Sequence, residues 1–195
     1  KQVVYNPTTI DTETLHNPKL YSIQAKHGIR LGWTGSHSTL KYLNELIPVF
    51  EQLQNEFPNL TLRVIADKPP QLNLKFVEFV AWNKETEIED LIQIDIGLMP
   101  LTDDAWAKGK CGFKALQYLA LGIPAVVSPV GVNTTIVNHG ITGFVCSTDA
   151  EWLSGLRTLI SDVELQNRMG QQGRTIVEQH YSVLANTSTF VGLFR

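Results

Sequence analysis

The sequence has few cysteines and no long hydrophobic run. Its two cysteines, Cys111 and Cys146, make neither a disulfide framework nor the paired spacing of a metal site. Such cysteine usage is typical of a reducing, cytoplasmic setting. The longest apolar stretch, residues 123–132, is about half of the roughly 18–20 residues that span a bilayer, and prolines interrupt it. We therefore expect neither a disulfide-stabilised secreted domain nor a membrane-spanning helix.

The sequence also lacks a large excess of positive or negative charge. Sixteen Lys and Arg against nineteen Asp and Glu give a formal net charge of −3, which argues against nucleic acid or a polybasic membrane contact as the general partner. The five histidines form no H-x-x-H or H-E-x-x-H pattern, so we expect no protein-built metal site. No G-x-S-x-G nucleophile motif is present. With 43% hydrophobic residues in 195, the chain can nevertheless bury a substantial core.

From residue 29 onward, short apolar runs alternate with amphipathic segments of helical length. The predicted strands are residues 29–33, 60–66, 76–80, 94–100, 125–128 and 143–146. The predicted helices are residues 40–57, 85–93, 111–121, 149–160, 162–179 and 182–194. This alternation predicts an α/β fold, a doubly wound parallel six-stranded sheet with helices on both faces. Asp149, Asp162 and Ser182 are the predicted N-caps of the last three helices.

The ends of the chain differ from its middle. Residues 1–28 carry little periodicity and are predicted to be a lead-in segment. Residues 29–180 are predicted to form the α/β domain, and residues 181–195 a C-terminal helix. Because parallel sheets bind ligands beyond the carboxyl ends of their strands, we expect a site in the loops that follow the strands.

The loop after the first strand contains Gly35 and Ser36. Glycine allows close backbone approach, the hydroxyl can donate a hydrogen bond, and the following helix N-terminus favours an anion. The loop is neither G-x-G-x-x-G nor a Walker loop. A phosphate contact and an ordinary turn capped by Ser38 or Thr39 are about equally supported by these residues.

The segment after the fourth strand contains Lys110, Lys114 and Gln117. Their spacing of i, i+4 and i+7 predicts that they share one face of a helix. Two ammonium groups near a positive helix end repel each other unless an anion is bound, and a phosphorylated ligand would supply that anion. The alternative is a solvated lysine face. The acidic pair in the same loop, Asp103 and Asp104, is interpreted as a helix cap or solvated turn rather than a cation site.

Small residues also follow the fifth strand, and they include Gly131 and Asn133. The whole segment 108–133, KGKCGFKALQYLALGIPAVVSPVGVN, resembles the sugar-nucleotide-binding half of glycosyltransferase family 4, the retaining enzymes of GT-B fold. The resemblance continues through IVNHGITGFV (136–145), LGWTGSHSTLKYL (31–43) and YNPTTID (5–11), so it covers nearly the whole chain. It implies a Rossmann-like domain that is one half of a GT-B fold.

The resemblance also implies a ligand. In this family a nucleoside diphosphate sugar, UDP- or GDP-linked, lies between two Rossmann-like domains and binds mostly to the C-terminal one, with no metal or other cofactor. The residues that the resemblance assigns to donor binding are Gly35, Ser36, Lys110, Lys114, Gln117, Gly131 and Asn133. Gln117 stands where the family has the second Glu of its Glu-x7-Glu motif, which contacts the ribose, and Gly109 stands where it has the first.

The expected function is therefore donor binding in a glycosyltransferase that transfers a hexosyl group to a saccharide or glycoconjugate acceptor. The acceptor, saccharide or lipid-linked, would bind to an N-terminal domain that this chain lacks. We expect the chain alone to be inactive, with no catalytic residue assignable and no nucleic acid as partner. The expected location is the cytoplasm, including its membrane face. Three alternatives stay open: a non-catalytic nucleotide- or sugar-binding module, half of a sugar-nucleotide epimerase, and, with less support, a receiver-like signalling domain.

Overall fold

The structure, a computed structural model, describes residues 3–25 and 27–194. The strands β1 to β6 span Arg30–Gly35, Thr61–Ala66, Val77–Ala81, Ile96–Met99, Ala125–Val127 and Gly143–Val145. The helices α1 to α9 span Leu40–Asn44, Ile47–Glu56, Glu87–Leu91, Ala105–Lys108, Phe113–Ala120, Asn133–Ile136, Asp149–Ser161, Val163–His180 and Val183–Gly192. Short 3-10 helices occur at Pro18–Leu20 and His37–Thr39.

The strands form one parallel sheet in the order β3-β2-β1-β4-β5-β6. This confirms the predicted doubly wound sheet. The chain runs outward from β1 in one direction and then returns to start again at β4, so the switch point lies between these two central strands. All six strands were predicted to within a few residues, because their apolar runs are bounded by turn residues.

The two central strands separate before they end. The pairing of β1 with β4 covers only Leu31 and Gly32, whereas β1 continues to Gly35. The Tyr118 hydroxyl bridges the gap: it accepts a hydrogen bond from the backbone N–H of Thr34 at 3.2 Å and donates one to the carbonyl of Leu98 at 3.3 Å. Complete burial raises the pKa of this phenol well above its usual range. A crevice therefore opens at the carboxyl edge of the sheet, above Tyr118.

Side chains of successive strand residues alternate between two hydrophobic layers. In β2, Leu62 and Val64 pack with Phe50 of α2 and Leu156 of α7. Ile65, the next residue, points to the opposite layer, which contains α3 and α5. The sheet is thus covered on both faces, as predicted.

The predicted helix 40–57 is wrong in one respect, since it is two helices. Pro48 has no backbone N–H and its ring clashes with the carbonyl of the residue four positions earlier. That residue is Asn44, where α1 ends; Pro48 itself lies in the first turn of α2. Proline is well tolerated there because the first N–H groups of a helix need no intrahelical acceptor.

One of the three predicted helix N-caps is wrong. Thr148, not Asp149, caps α7: its hydroxyl accepts the N–H of Glu151, and the Glu151 carboxylate accepts the N–H of Thr148 in return. Asp162 and Ser182 are confirmed as caps. Asp104 caps α4, a helix that was not predicted, by accepting the N–H of Ala107 at 2.7 Å.

The lead-in segment is attached to the rest of the chain. Ile10 forms a parallel bridge with Ser182 through two backbone hydrogen bonds of 2.9 and 3.0 Å. Arg174 of α8 donates to the carbonyls of Thr12 and His16 at 3.1 and 2.9 Å, and also to that of Ala120 at the end of α5. The division into residues 1–28, 29–180 and 181–195 stays a prediction. No helix among the described residues is both long and apolar enough to cross a bilayer.

Candidate functional site

A cavity of about 420 Å³ lies at the carboxyl edge of the sheet, beside the switch point. Its walls come from the end of β1, from the segments after β1, β2 and β3, and from helices α3 and α5. The lining residues are Thr34, Gly35, Ser36, Asp67, Trp82, Glu87, Phe113, Lys114 and Gln117. This volume is within the range of small-molecule sites. The cavity thus lies where the strand-end rule predicts a ligand site.

The loop after β1 is closely packed against its own surroundings. A Cβ added to Gly35 would lie 2.5 Å from the ring of Trp33 and 2.8 Å from the hydroxyl oxygen of Thr39, so only glycine fits. Thr39 makes no side-chain capping bond; its hydroxyl donates to the carbonyl of Ser36 at 2.9 Å. The hydroxyls of Ser36 and Ser38 are 2.8 Å apart. This loop is therefore held in place at the point where its backbone reaches the cavity.

Asp67 holds the same loop from the end of β2. The backbone N–H of His37 donates to Asp67 Oδ1 at 2.5 Å, and His37 Nδ1 lies 2.6 Å from Asp67 Oδ2. These bonds lower the pKa of Asp67, since they favour the ionised carboxylate. Both oxygens are thereby occupied, so this carboxylate positions the loop after β1.

Lys114, the second residue of α5, is the cation of the cavity. Its Nζ lies 5.6 Å from the centre of the Trp33 ring. Within the part of the chain that the structure describes, no carboxylate lies within ion-pair distance of it. Burial, and then the nearby charge of Lys110, lower the pKa of Lys114 to about 8. A bound anion would relieve both effects.

Lys110, Lys114 and Gln117 do not share one helical face, which corrects the prediction from their spacing. Gly112 adopts a left-handed conformation with φ of +71°, so α5 begins only at Phe113 and Lys110 precedes it. The Lys110 Nζ lies 5.8 Å from the centre of the Tyr42 ring, outside the lining of the cavity. Its charge still lowers the pKa of Lys114.

Gln117 lines the cavity but is only 4% exposed. Its Nε2 donates a hydrogen bond to Glu87 Oε1 at 3.1 Å. Gln117 is thus partnered, and its partner is a carboxylate on a different helix.

Gly131 and Asn133 lie outside the lining of this cavity. Asn133 is 1% exposed and donates to the carbonyl of Ser128 at 3.0 Å. Gly131 has φ of +59°, and a Cβ there would approach the carbonyl oxygen of Lys108 to 2.9 Å. Both residues shape the turn after β5 and its contact with α4. Of the seven predicted site residues, the cavity therefore brings together Gly35, Ser36, Lys114 and Gln117.

The sequence reasoning missed five lining residues, Thr34, Asp67, Trp82, Glu87 and Phe113. Asp67 and Trp82 come directly after β2 and β3, so the strand-end rule applied to every strand would have included them. Trp82 is 45% exposed and presents an aromatic surface at the rim. Glu87 had no local signal, because its contact with Gln117 joins residues 30 positions apart. No group of three or more potential metal ligands occurs among the described residues.

Comparison with known proteins gives consistent matches. The family model described as "Glycosyl transferases group 1" matches residues 32–176. The C-terminal domain of a glycosyl transferase group 1 family protein (LpcC) from Francisella tularensis is 19% identical, with a TM-score of 0.69 over 89% of this chain and 99% of that one. A glycosyltransferase from Rickettsia africae is 11% identical, with a TM-score of 0.79 over 96% of this chain and 55% of that one.

HepE from Anabaena, whose structure contains UDP and glucose, is 16% identical, with a TM-score of 0.70 over 86% of this chain and 48% of that one. This chain therefore spans about half the length of the HepE and Rickettsia chains. At these identities the structural matches show a common fold.

Proposed function

Because this chain belongs to the glycosyl transferases group 1 family, we propose that it is the donor-binding domain of a glycosyltransferase. Its ligand is a nucleoside diphosphate sugar, UDP- or GDP-linked, from which a hexosyl group is transferred to a saccharide or glycoconjugate. The observation that carries the proposal is Lys114, a half-buried cation without a carboxylate partner in the described chain, in a cavity at the switch point of the sheet.

Lys114 binds the diphosphate in this proposal. The N-terminal end of α5 adds partial positive charge beside it, since its first backbone N–H groups lack intrahelical acceptors. The backbone of Gly35 approaches the same ligand closely, and Ser36 can donate a hydrogen bond. When the bond between the sugar and the diphosphate breaks, negative charge grows on the leaving phosphate. Fixed positive groups stabilise that charge without a metal.

Lys110, Gly131 and Asn133 have subordinate roles. Lys110 adds long-range positive charge, whereas Gly131 and Asn133 support the neighbouring turn. The acceptor, saccharide or lipid-linked, binds to a second domain, and any attachment to the cytoplasmic face of a membrane depends on that domain. The catalytic groups on the acceptor side are unassigned.

One observation favours a non-catalytic binding module as the second candidate. Gly109 has no side chain to contact a donor sugar, and a Cβ there would meet nothing nearer than 3.5 Å. The structure thus has room for a side chain at residue 109, but the chain has glycine there and so no group that could bind the donor sugar.

Calorimetric titration of the chain with UDP, GDP and UDP-glucose tests the proposal. We expect weak, saturable binding of at least one nucleoside diphosphate and no sugar transfer by these 195 residues alone, since in this proposal the acceptor binds to a second domain. Inorganic phosphate, as a control, should bind far more weakly. Absence of saturable binding to every nucleotide would contradict the proposal. Measurable transfer by these 195 residues would contradict the assignment of the acceptor to a second domain.

A further inference from the structure

Glu87 is a carboxylate in the same cavity as the lysine that binds the anion. It is the first residue of α3 and lines the cavity together with Lys114. Its Oε1 accepts the hydrogen bond from Gln117. Within the described part of the chain, no cation lies within ion-pair distance of Glu87. A partly exposed carboxylate that faces a cavity without a cationic partner retains acceptor capacity for a ligand.

The surroundings of Glu87 fix its position. Gln117 is almost fully buried, so its amide is a rigid donor to Oε1. His16 is the nearby ionisable group on the buried side. It is 3% exposed, and its ring packs edge-on against the ring of Phe113, with 6.4 Å between the ring centres. Burial lowers the pKa of His16, so at neutral pH its imidazole is uncharged and does not neutralise Glu87.

An ionised carboxylate only accepts hydrogen bonds, and it repels phosphate. Glu87 must therefore face a part of the ligand that is neutral and rich in donors, whereas the diphosphate lies at Lys114. A pair of vicinal hydroxyls meets this requirement, because both can donate to one carboxylate. In a nucleoside diphosphate sugar such pairs occur on the ribose and on the transferred sugar.

We propose that Glu87 is the residue that selects a ribonucleotide donor, by accepting hydrogen bonds from the two ribose hydroxyls, and that Gln117 is the positioning residue that holds it. The ribose is favoured over the transferred sugar because Trp82, an exposed aromatic surface on which a base can stack, lines the same cavity. This inference rests on the proposed function, since it needs a nucleotide in the cavity.

The test compares Glu87→Gln with the unchanged chain by titration with UDP and with 2′,3′-dideoxy-UDP. The unchanged chain should prefer UDP by about ten-fold or more, the value of a hydrogen-bonded charge. Glu87→Gln should lose most of that preference and bind the dideoxy nucleotide as before. Glu85→Gln, an exposed carboxylate just before α3, is the matched control and should keep the preference. An unchanged preference in Glu87→Gln would overturn the proposal.

Exchanging the carboxylate of Glu87 and the amide of Gln117 tests whether the preference for UDP depends on the carboxylate itself or only on intact packing at these positions. Gln117→Glu places two carboxylates in contact and should weaken UDP binding. The double variant Glu87→Gln with Gln117→Glu restores one amide and one carboxylate, so it should recover a preference for UDP over the dideoxy nucleotide. Failure to recover it, in a variant whose melting temperature is unchanged, would contradict the proposed pair.

The outcomes distinguish this inference from the proposed function. If the unchanged chain binds no nucleoside diphosphate, the proposed function itself is wrong. If it binds UDP but Glu87→Gln alters only the affinity for UDP-glucose, the carboxylate faces the transferred sugar and the assignment to ribose is wrong.

Discussion

Replacement of Lys114 by methionine is expected to weaken UDP binding by about ten- to one-hundred-fold, the range for loss of a charged hydrogen-bond partner. Methionine keeps the apolar stem that lies near Trp33 and removes only the ammonium group. The melting temperature of the free chain should stay the same or rise, because an ammonium without a carboxylate partner is removed from a half-buried position. Calorimetric titration and thermal melting measure the two effects.

The affinity for UDP should also depend on pH through this lysine. In the free chain the pKa of Lys114 is about 8, and a bound diphosphate raises it. Below pH 8 the lysine is already charged, so binding is strongest there. Above pH 8 the free lysine loses its proton, and the affinity should fall as the pH rises. Titrations from pH 7 to 10 in the unchanged chain and in Lys114→Met separate this effect from the ligand's own titration.

Lys75→Met is the matched control for the charge. Lys75 is exposed and lies just before β3, at the amino edge of the sheet and so opposite the cavity. It should leave UDP affinity and its pH dependence unchanged. If Lys114→Met retains the affinity of the unchanged chain, or shows the same decrease above pH 8, Lys114 is not the group that binds the diphosphate.

The sheet could be predicted from the sequence because each strand carries its own signal. Runs such as residues 60–66 and 125–128 are apolar and bounded by Gly, Pro or Asn, so they are recognisable without knowledge of their neighbours. The handedness of the connections then follows from the rule for parallel strands. The break at Pro48 also had a local signal, since proline excludes a hydrogen bond to Asn44, and the prediction of one helix overlooked it.

The site could be predicted only where it depends on strand ends. Gly35 and Ser36 follow the predicted first strand, and Lys114 and Gln117 lie in the segment after the fourth, so the strand-end rule and the family resemblance point to the same residues. The helical register that joined Lys110 to Lys114 was wrong because Gly112 has a left-handed backbone, which an i, i+4 pattern does not reveal. The contact between Glu87 and Gln117 depends on the packing of α3 against α5, and no sequence period encodes it.

Gly170→Ala should destabilise the chain strongly. A Cβ on Gly170 of α8 would lie 1.8 Å from the carbonyl oxygen of Gly122, which follows α5. Because this obstacle is backbone, it cannot rotate away, and α8 must move off α5. We expect the free energy of unfolding to fall by about 2–3 kcal/mol, and the melting temperature by about 4–12 °C. Calorimetry of the unliganded chain measures both.

Gly192→Ala is the control for the same chemical change in a helix. A Cβ at this last residue of α9 would meet nothing within 4 Å, and alanine is the better helix former. Its melting temperature should be unchanged or slightly higher. If Gly170→Ala has the same melting temperature as the unchanged chain, α8 can shift with no loss of stability and the prediction is wrong.

If Gly170→Ala melts at a lower temperature, its affinity for UDP should also fall, because α8 packs against α5 and α5 carries both Lys114 and Gln117.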